Sequence, residues 1–249
     1  FNFLVKYRSV MPSYHHLNWI SFSQAQRRGM PPHTNWVGNV YHGMSEAALR
    51  PLEQPADDYF AYLGRIIEPK GVHLAIAAVR AYNTTTKHPM KLKIAGKHYA
   101  SASKDTYWRE RIEPQLGDDV EYVGFIDTPE AKRDFLGNAR ALIVPSLFDE
   151  PFGMVTIEAF ACGTPVVALD SGALPEVIDD GLTGYTVPGG DPPYDETRLG
   201  EDIAGRLRRI TATMRQDCRR VYEERFTTRT MTDGYIAIYR AIIQSPDQS

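Results

Sequence analysis

Two stretches of this chain carry side chains whose types and spacing could do chemistry. The first is Gly64-Arg65-Ile66-Ile67-Glu68-Pro69-Lys70-Gly71. It lies between a compact apolar run, Tyr59–Leu63, and a segment of helical periodicity, Val72–Tyr82. Arg65 and Lys70 therefore stand beside a helix N-terminus, whose free N–H groups already favour anions. An Arg fork and a Lys point charge together suit a diphosphate. Two solvated cations on a loop are the simpler reading of these residues alone, and both readings stay open. The run lacks the glycine spacing and Lys-Ser/Thr pair of a Walker loop.

The second stretch is Asp149-Glu150-Pro151-Phe152-Gly153-Met154-Val155-Thr156-Ile157-Glu158, after the apolar run Ala141–Val144. A helix starting near Gly153 would offer the amides of Gly153, Met154 and Val155 as unpaired donors. Glu150 precedes that helix, and Glu158 falls about 7 Å further along its axis. Carboxylates so spaced do not share a proton, but each can accept from hydroxyls on different parts of a long ligand. A sugar and a ribose flanking a diphosphate fit the spacing. The bland alternative has Glu150 favouring the helix dipole and Glu158 facing water. Against it, Glu158 stands among Val155, Ile157, Ala159, Phe160 and Ala161, where an acid needs a partner.

Other runs carry less. Gly163-Thr164-Pro165 ends one helix and opens a strand. In Asp170–Val177 the Ser171-Gly172 turn follows a strand, so its backbone could approach a substrate at the binding edge; a plain turn with Pro175 starting a short helix, and Glu176 as a first-turn acid stabilised by the helix dipole, is the other reading. None of the seven histidines has metal-ligand spacing. Only His42, at a strand-end turn, is placed to face a cleft. No G-x-S-x-G nucleophile elbow is present.

The elements that must position these residues follow from periodicity. Short apolar strands are expected at Tyr59–Leu63, Lys91–Ala95, Val120–Val123, Ala141–Val144, Pro165–Leu169 and Thr183–Val187, the last near an edge. Helices are expected at Val72–Tyr82, Asp105–Ile112, Pro129–Gly137 (capped by Thr128) and Val155–Ala161, with two or three more from Thr197 to Gln244. This alternation predicts an α/β fold, a doubly wound parallel sheet covered on both faces, with ligands at the carboxyl ends of its strands. Residues 1–50 differ: they are irregular and aromatic, with strands expected within Leu17–Ser23 and Asn35–Tyr41. Ser23 can cap a short helix through Gln24–Arg28, and Leu49–Asp58 reads as a linker.

Bulk properties bound the function. The 249 residues carry a net charge of −3, which argues against a nucleic-acid polymer as partner. The two cysteines, far apart, form no metal motif. No stretch approaches the roughly 20 apolar residues of a membrane span, and the N-terminus has no signal-peptide pattern.

Taken together in order, Gly64-Arg65…Lys70-Gly71, Glu150-Pro151-Phe152-Gly153…Glu158-Ala159, Ala161-Cys162-Gly163-Thr164-Pro165-Val166-Val167-Ala168 and Pro175-Glu176-Val177-Ile178…Gly181-Leu182-Thr183-Gly184-Tyr185 resemble the C-terminal domain of family-4 retaining glycosyltransferases of the GT-B fold. The resemblance spans about residues 30–245, and the E-x7-E pair Glu150/Glu158 is its signature. It implies transfer of a sugar from a nucleoside-diphosphate sugar to a hydroxyl, with the anomeric configuration kept. It implies Arg65, Lys70 and Glu150 as the catalytic side chains, the two cations on the diphosphate and Glu150 on the sugar hydroxyls. Glu158 would hold the ribose. Phe152, Gly153, Met154 and Val155 would line the sugar and phosphate, Gly64 the rim beside them, and Gly124 and Phe125 the base. No cofactor and no metal is expected, and the acceptor is a sugar, lipid or small molecule.

The resemblance also divides the chain. Residues 1–50 correspond to a truncated remnant of a second Rossmann-like domain, the acceptor domain, and residues 51–249 to the donor domain. About a hundred or more residues of the former are expected to be absent, so the chain is expected to bind donor without completing transfer. A cytoplasmic location is expected, with membrane association only through that absent half. The alternatives are another GT-B nucleotide-sugar enzyme such as an epimerase, a non-catalytic nucleotide-sugar binding module, or a glycoside hydrolase using Glu150 and Glu158. The last leaves Arg65 and Lys70 without a role.

Overall fold

A computed structural model describes residues 11–14, 16–47, 49–98 and 105–244. Six apolar runs form one parallel sheet: β3 (Tyr59–Leu63), β4 (Lys91–Ala95), β5 (Val120–Gly124), β6 (Ala141–Val144), β7 (Val166–Leu169) and β8 (Gly184–Val187). Their spatial order is β5-β4-β3-β6-β7-β8. Successive side chains alternate between the faces, as strand geometry requires. Phe60 and Tyr62 enter one core, with Ile143; Tyr59 and Ala61 enter the other, with Leu142 and Val144.

Helices cover both faces. On the first lie α1 (Val72–Asn83) and α5 (Glu196–Leu207), which bury Leu74, Ile76, Val79, Leu199, Ile203 and Leu207. On the second lie α2 (Pro129–Gly137), α3 (Met154–Ala161), the single-turn α4 (Leu174–Val177) and α6 (Met214–Arg225). Each fully enclosed Leu, Ile or Phe contributes about 1.5–3 kcal/mol. α2 begins as its sequence predicts, with the Thr128 side chain accepting from the Ala131 amide and Pro129 in the first turn. The expected helix over Asp105–Ile112 is less regular: its second part, Trp108–Ile112, is wound as a π-turn and runs into a 3₁₀ turn at Glu113–Gln115.

The strand order matters for function. From β3 the chain steps outward through β4 to β5, returns to place β6 against the other edge of β3, and proceeds through β7 to β8. The order reverses between β3 and β6. The loop after β3 leads to α1 on one face, and the loop after β6 leads to α3 on the opposite face. Loops that diverge in this way open a crevice at the carboxyl ends of the two strands.

A separate two-stranded parallel sheet pairs β1 (Trp19–Ser21) with β2 (Trp36–Asn39). The last helix, α7 (Thr228–Gln244), crosses onto it: a Cβ at Gly38 would stand 2.2 Å from Ile238 Cδ1, and Gly234 lies against Val40. The turn after Ser23 is a 3₁₀ helix, Ala25–Arg27, and the Ser23 hydroxyl accepts from the Gln26 amide. Among the described residues no helix is long and apolar enough to cross a membrane.

Candidate active site

The two stretches singled out by residue type meet at the reversal between β3 and β6. The Leu147 amide donates to Pro69 O at 2.8 Å, which fastens the loop after β6 to the loop after β3. Gly71 makes the approach close. Its φ is +68°, and a Cβ there would fall 2.0 Å from Pro145 O, so the contact requires glycine. Lys70, one residue earlier, is thereby delivered to Glu150.

Glu150 is buried, 5% exposed. Its Oε1 accepts from the Lys70 ammonium and from the Ser146 hydroxyl at 2.5 Å. The main chain around it is fixed from the other side: the Ala173 amide donates to Glu150 O at 2.8 Å and the Gly172 amide to Asp149 Oδ1 at 3.2 Å. Lys70 also stands 4.8 Å above the Phe148 ring. Its charge is thus shared between a carboxylate and an aromatic face.

Just beyond Pro151 and Phe152 α3 begins. Gly153 is its N-cap, and the first backbone bond at this end runs from the Thr156 amide to Gly153 O. The amides of Gly153, Met154 and Val155 stand ahead of that bond as donors without a partner among the described residues. Met154 is exposed at this helix start, and Phe152 is buried behind it. The Thr156 hydroxyl, fully buried in the same first turn, has no hydrogen-bond partner among the described residues.

The other expected residues are placed as follows. Gly64 and Gly124 sit at the carboxyl ends of β3 and β5, tied through β4 by Gly64 N to Ala95 O and Gly96 N to Gly124 O. Arg65 is exposed on the Gly64–Gly71 loop, and its side chain makes no ion pair among the described residues. Phe125 is exposed, with the Lys97 ammonium 3.9 Å from its ring centroid. Glu158 does not face Glu150's partners. It pairs with Lys132 of α2 at 2.7 Å, which answers the need for a counter-charge within an apolar helix.

Sequence reasoning passed over several residues that the fold brings here. Ser146 had no signal beyond its place after an apolar strand. Lys97 and Lys132 lie in unremarkable runs. Glu176 stands in the first turn of α4 as read, and it also holds the N-terminal segment: it accepts from the amides of Gln24 at 2.7 Å and Ala25 at 2.5 Å, and from the Tyr41 hydroxyl at 3.2 Å. The Ser23 hydroxyl adds a bond to Pro151 O at 2.7 Å. His42 stacks on Phe22 at 4.5 Å and meets the Phe152 edge at 5.0 Å, and burial lowers its pKa from 6.5. The N-terminal segment is thus seated against the loop that carries Glu150.

A cavity of about 380 Å3 opens on the β7–β8 side of the same loop, lined in part by Ser146, Asp149, Asp170, Ser171, Asp191 and Tyr194. Its lining does not include Arg65, Lys70 or Glu150. The cation-bearing rim lies beside it, at the carboxyl ends of β3 and β6.

A doubly wound sheet with this crevice at its strand reversal defines a Rossmann-like binding domain. Residues 45–203 match the family model of group 1 glycosyl transferases, and the chain belongs to that family. It is 32% identical over 212 residues to the D-inositol 3-phosphate glycosyltransferase of Saccharomonospora viridis, covering 80% of this chain and 46% of that one. It is 37% identical over 141 residues to the glycogen synthase of Mycobacterium tuberculosis, covering 56% and 32%. Its fold matches sucrose-phosphate synthase from Thermosynechococcus elongatus with a TM-score of 0.72 at 25% identity, over 92% of this chain and 59% of that one. It matches Anabaena HepE, solved with UDP and glucose, with a TM-score of 0.73 at 19% identity, over 94% and 66%. These are GT-B glycosyltransferase neighbours. The chain spans about a third to a half of the length of the curated relatives it matches.

Proposed function

We propose that the crevice between β3 and β6 binds a nucleoside-diphosphate sugar and serves a glycosyl transfer that retains the anomeric configuration. The observation that carries this reading is the convergence of Lys70, the enclosed carboxylate of Glu150 and the open amides at the start of α3 on one rim. Lys70 and those amides supply positive charge where a diphosphate would lie, and Arg65 adds an exposed guanidinium on the same loop. Glu150 supplies a fixed acceptor for sugar hydroxyls. Glu158 accepts from the ribose, and Gly124 and Phe125 border the base.

In the transfer, the bond from the anomeric carbon to the diphosphate oxygen breaks and a bond to the acceptor oxygen forms on the same face. The acceptor proton passes to the departing phosphate. Arg65, Lys70 and the α3 amides stabilise the charge that grows on the leaving diphosphate, a contribution made in the transition state and therefore to rate. No metal is assigned to this step. One relative is named for D-inositol 3-phosphate and another for glycogen, so family membership leaves the hydroxyl acceptor open. HepE's structure with UDP and glucose supports a nucleotide-sugar ligand for this fold.

A thermal-shift panel of UDP-, GDP- and ADP-sugars tests the reading. At 100 times its dissociation constant the right donor stabilises the fold by about 2.7 kcal/mol. The shift is expected to shrink in Arg65→Ala and Lys70→Ala, each compared with its own ligand-free melt, and to persist in EDTA. Stabilisation by oligosaccharide with none by any nucleotide would refute it.

A further inference from the structure

The two oxygens of Glu150 are not equivalent. Oε1 takes both recorded bonds, from Lys70 and from Ser146. Oε2 has no partner among the described residues, and it is absent from the fully enclosed polar atoms that lack one. It is therefore the part of this carboxylate that meets solvent. The Ser146 hydroxyl is itself buried, in a residue 1% exposed, separated from β6 only by Pro145. It has a rigid strand behind it, whereas Lys70 reaches Oε1 along a flexible four-carbon stem.

We propose that Ser146 is a positioning residue that fixes which oxygen of Glu150 is presented to the sugar of the donor. This rests on the nucleotide-sugar reading above. A diphosphate entering the crevice competes with Oε1 for the Lys70 ammonium. When Lys70 turns toward phosphate, Ser146 alone keeps Oε1 tethered, and Oε2 stays free to accept from a sugar hydroxyl. Without the hydroxyl the carboxylate swings about its last torsion, which is a broad and shallow one, and follows Lys70. Binding of the nucleotide would survive, and the added grip on the sugar would be lost.

The test compares Ser146→Ala with the wild-type chain by titration calorimetry, using each nucleoside diphosphate (UDP, GDP, ADP) beside its glucose or mannose ester. In the wild type, one sugar nucleotide is expected to bind more tightly than its parent diphosphate. In Ser146→Ala the affinity for the parent diphosphate is expected to stay within about twofold. The sugar's advantage is expected to fall about tenfold, the size of one hydrogen bond to a charged group. Ser146→Cys, which keeps a weak donor of similar size, should recover part of it. Equal weakening of diphosphate and sugar nucleotide, or an unchanged sugar advantage, overturns the proposal while leaving the donor site standing. A wild-type chain that binds none of these nucleotides overturns both. Ser146→Ala with a lowered melting temperature but the expected split still supports the proposal, because the ratio of two ligands on one protein is independent of its stability.

Discussion

Glu150 and Glu158 flank the start of one helix, yet the fold treats them differently. Glu150 precedes α3 on a loop, 6% exposed in its side chain, and its partners, Lys70 and Ser146, come from loops at the sheet rim. Glu158 lies within α3, 17% exposed, and pairs with Lys132 from a neighbouring helix. The first carboxylate is held by main chain that has little freedom to move. The second is held by one long side chain, itself 28% exposed. A loop pinned on both sides sets an atom's position more firmly than a single ion pair between two long, half-buried side chains does, since such a pair costs side-chain entropy.

That contrast can be broken, most forcefully through the support behind Glu150. Gly172 adopts φ +58°, and a Cβ there would stand 2.2 Å from Glu150 O. Gly172→Ala is expected to cost about 3 kcal/mol or more, from backbone strain and from displacement of the loop. Denaturant midpoints measure it, and a loss below about 1 kcal/mol would mean the loop is soft. Glu150→Ala comes next, at about 2–3 kcal/mol, because Lys70 is left charged in a largely enclosed place. Glu158→Ala is expected to cost about 1 kcal/mol or less. Double-mutant cycles sharpen the pair directly: coupling of Lys70 with Glu150 should exceed that of Lys132 with Glu158, and equal couplings would erase the distinction.

The smallest effect concerns pH. His42, wedged between Phe22 and Phe152 beside the Glu150 loop, has its pKa lowered by burial. The folded state therefore prefers the neutral ring. Stability is full above the ordinary value of 6.5 and is lost as pH falls through it, where the unfolded chain binds the extra proton. His73 is lowered in the same direction, first by burial. Midpoints at about pH 8 and about pH 5.5 should thus differ less in His42→Phe than in the wild type. An identical difference would show that His42 does not feel the core.

Much of the frame was readable from residue order. The runs Tyr59–Leu63, Lys91–Ala95 and Ala141–Val144 are strands with the bounds their apolar letters indicate, and Thr128-Pro129 starts α2 as a cap and first-turn pair should. Local chemistry decides these features, so a one-dimensional reading reaches them. The Glu176 carboxylate shows the limit. Its letters describe a first-turn acid, while its partners are the amides of Gln24 and Ala25, a hundred and fifty residues away. Backbone amides carry no letter code, and nothing in the local pattern marks them as its destination.

What the sequence determined by itself was the alternation of strand and helix, and with it a parallel sheet whose loops at one edge hold Arg65, Lys70, Glu150 and the start of α3. Periodicity and capping are short-range, and each element declares itself. Which two loops would be neighbours was decided only by the tertiary structure. The order β5-β4-β3-β6-β7-β8 places β6 against β3, and that adjacency brings Lys70 to the same oxygen of Glu150 that Ser146, on Glu150's own loop, already holds. The physical reason is that strand pairing is a contact between distant segments, fixed by which faces can be buried together across the whole sheet.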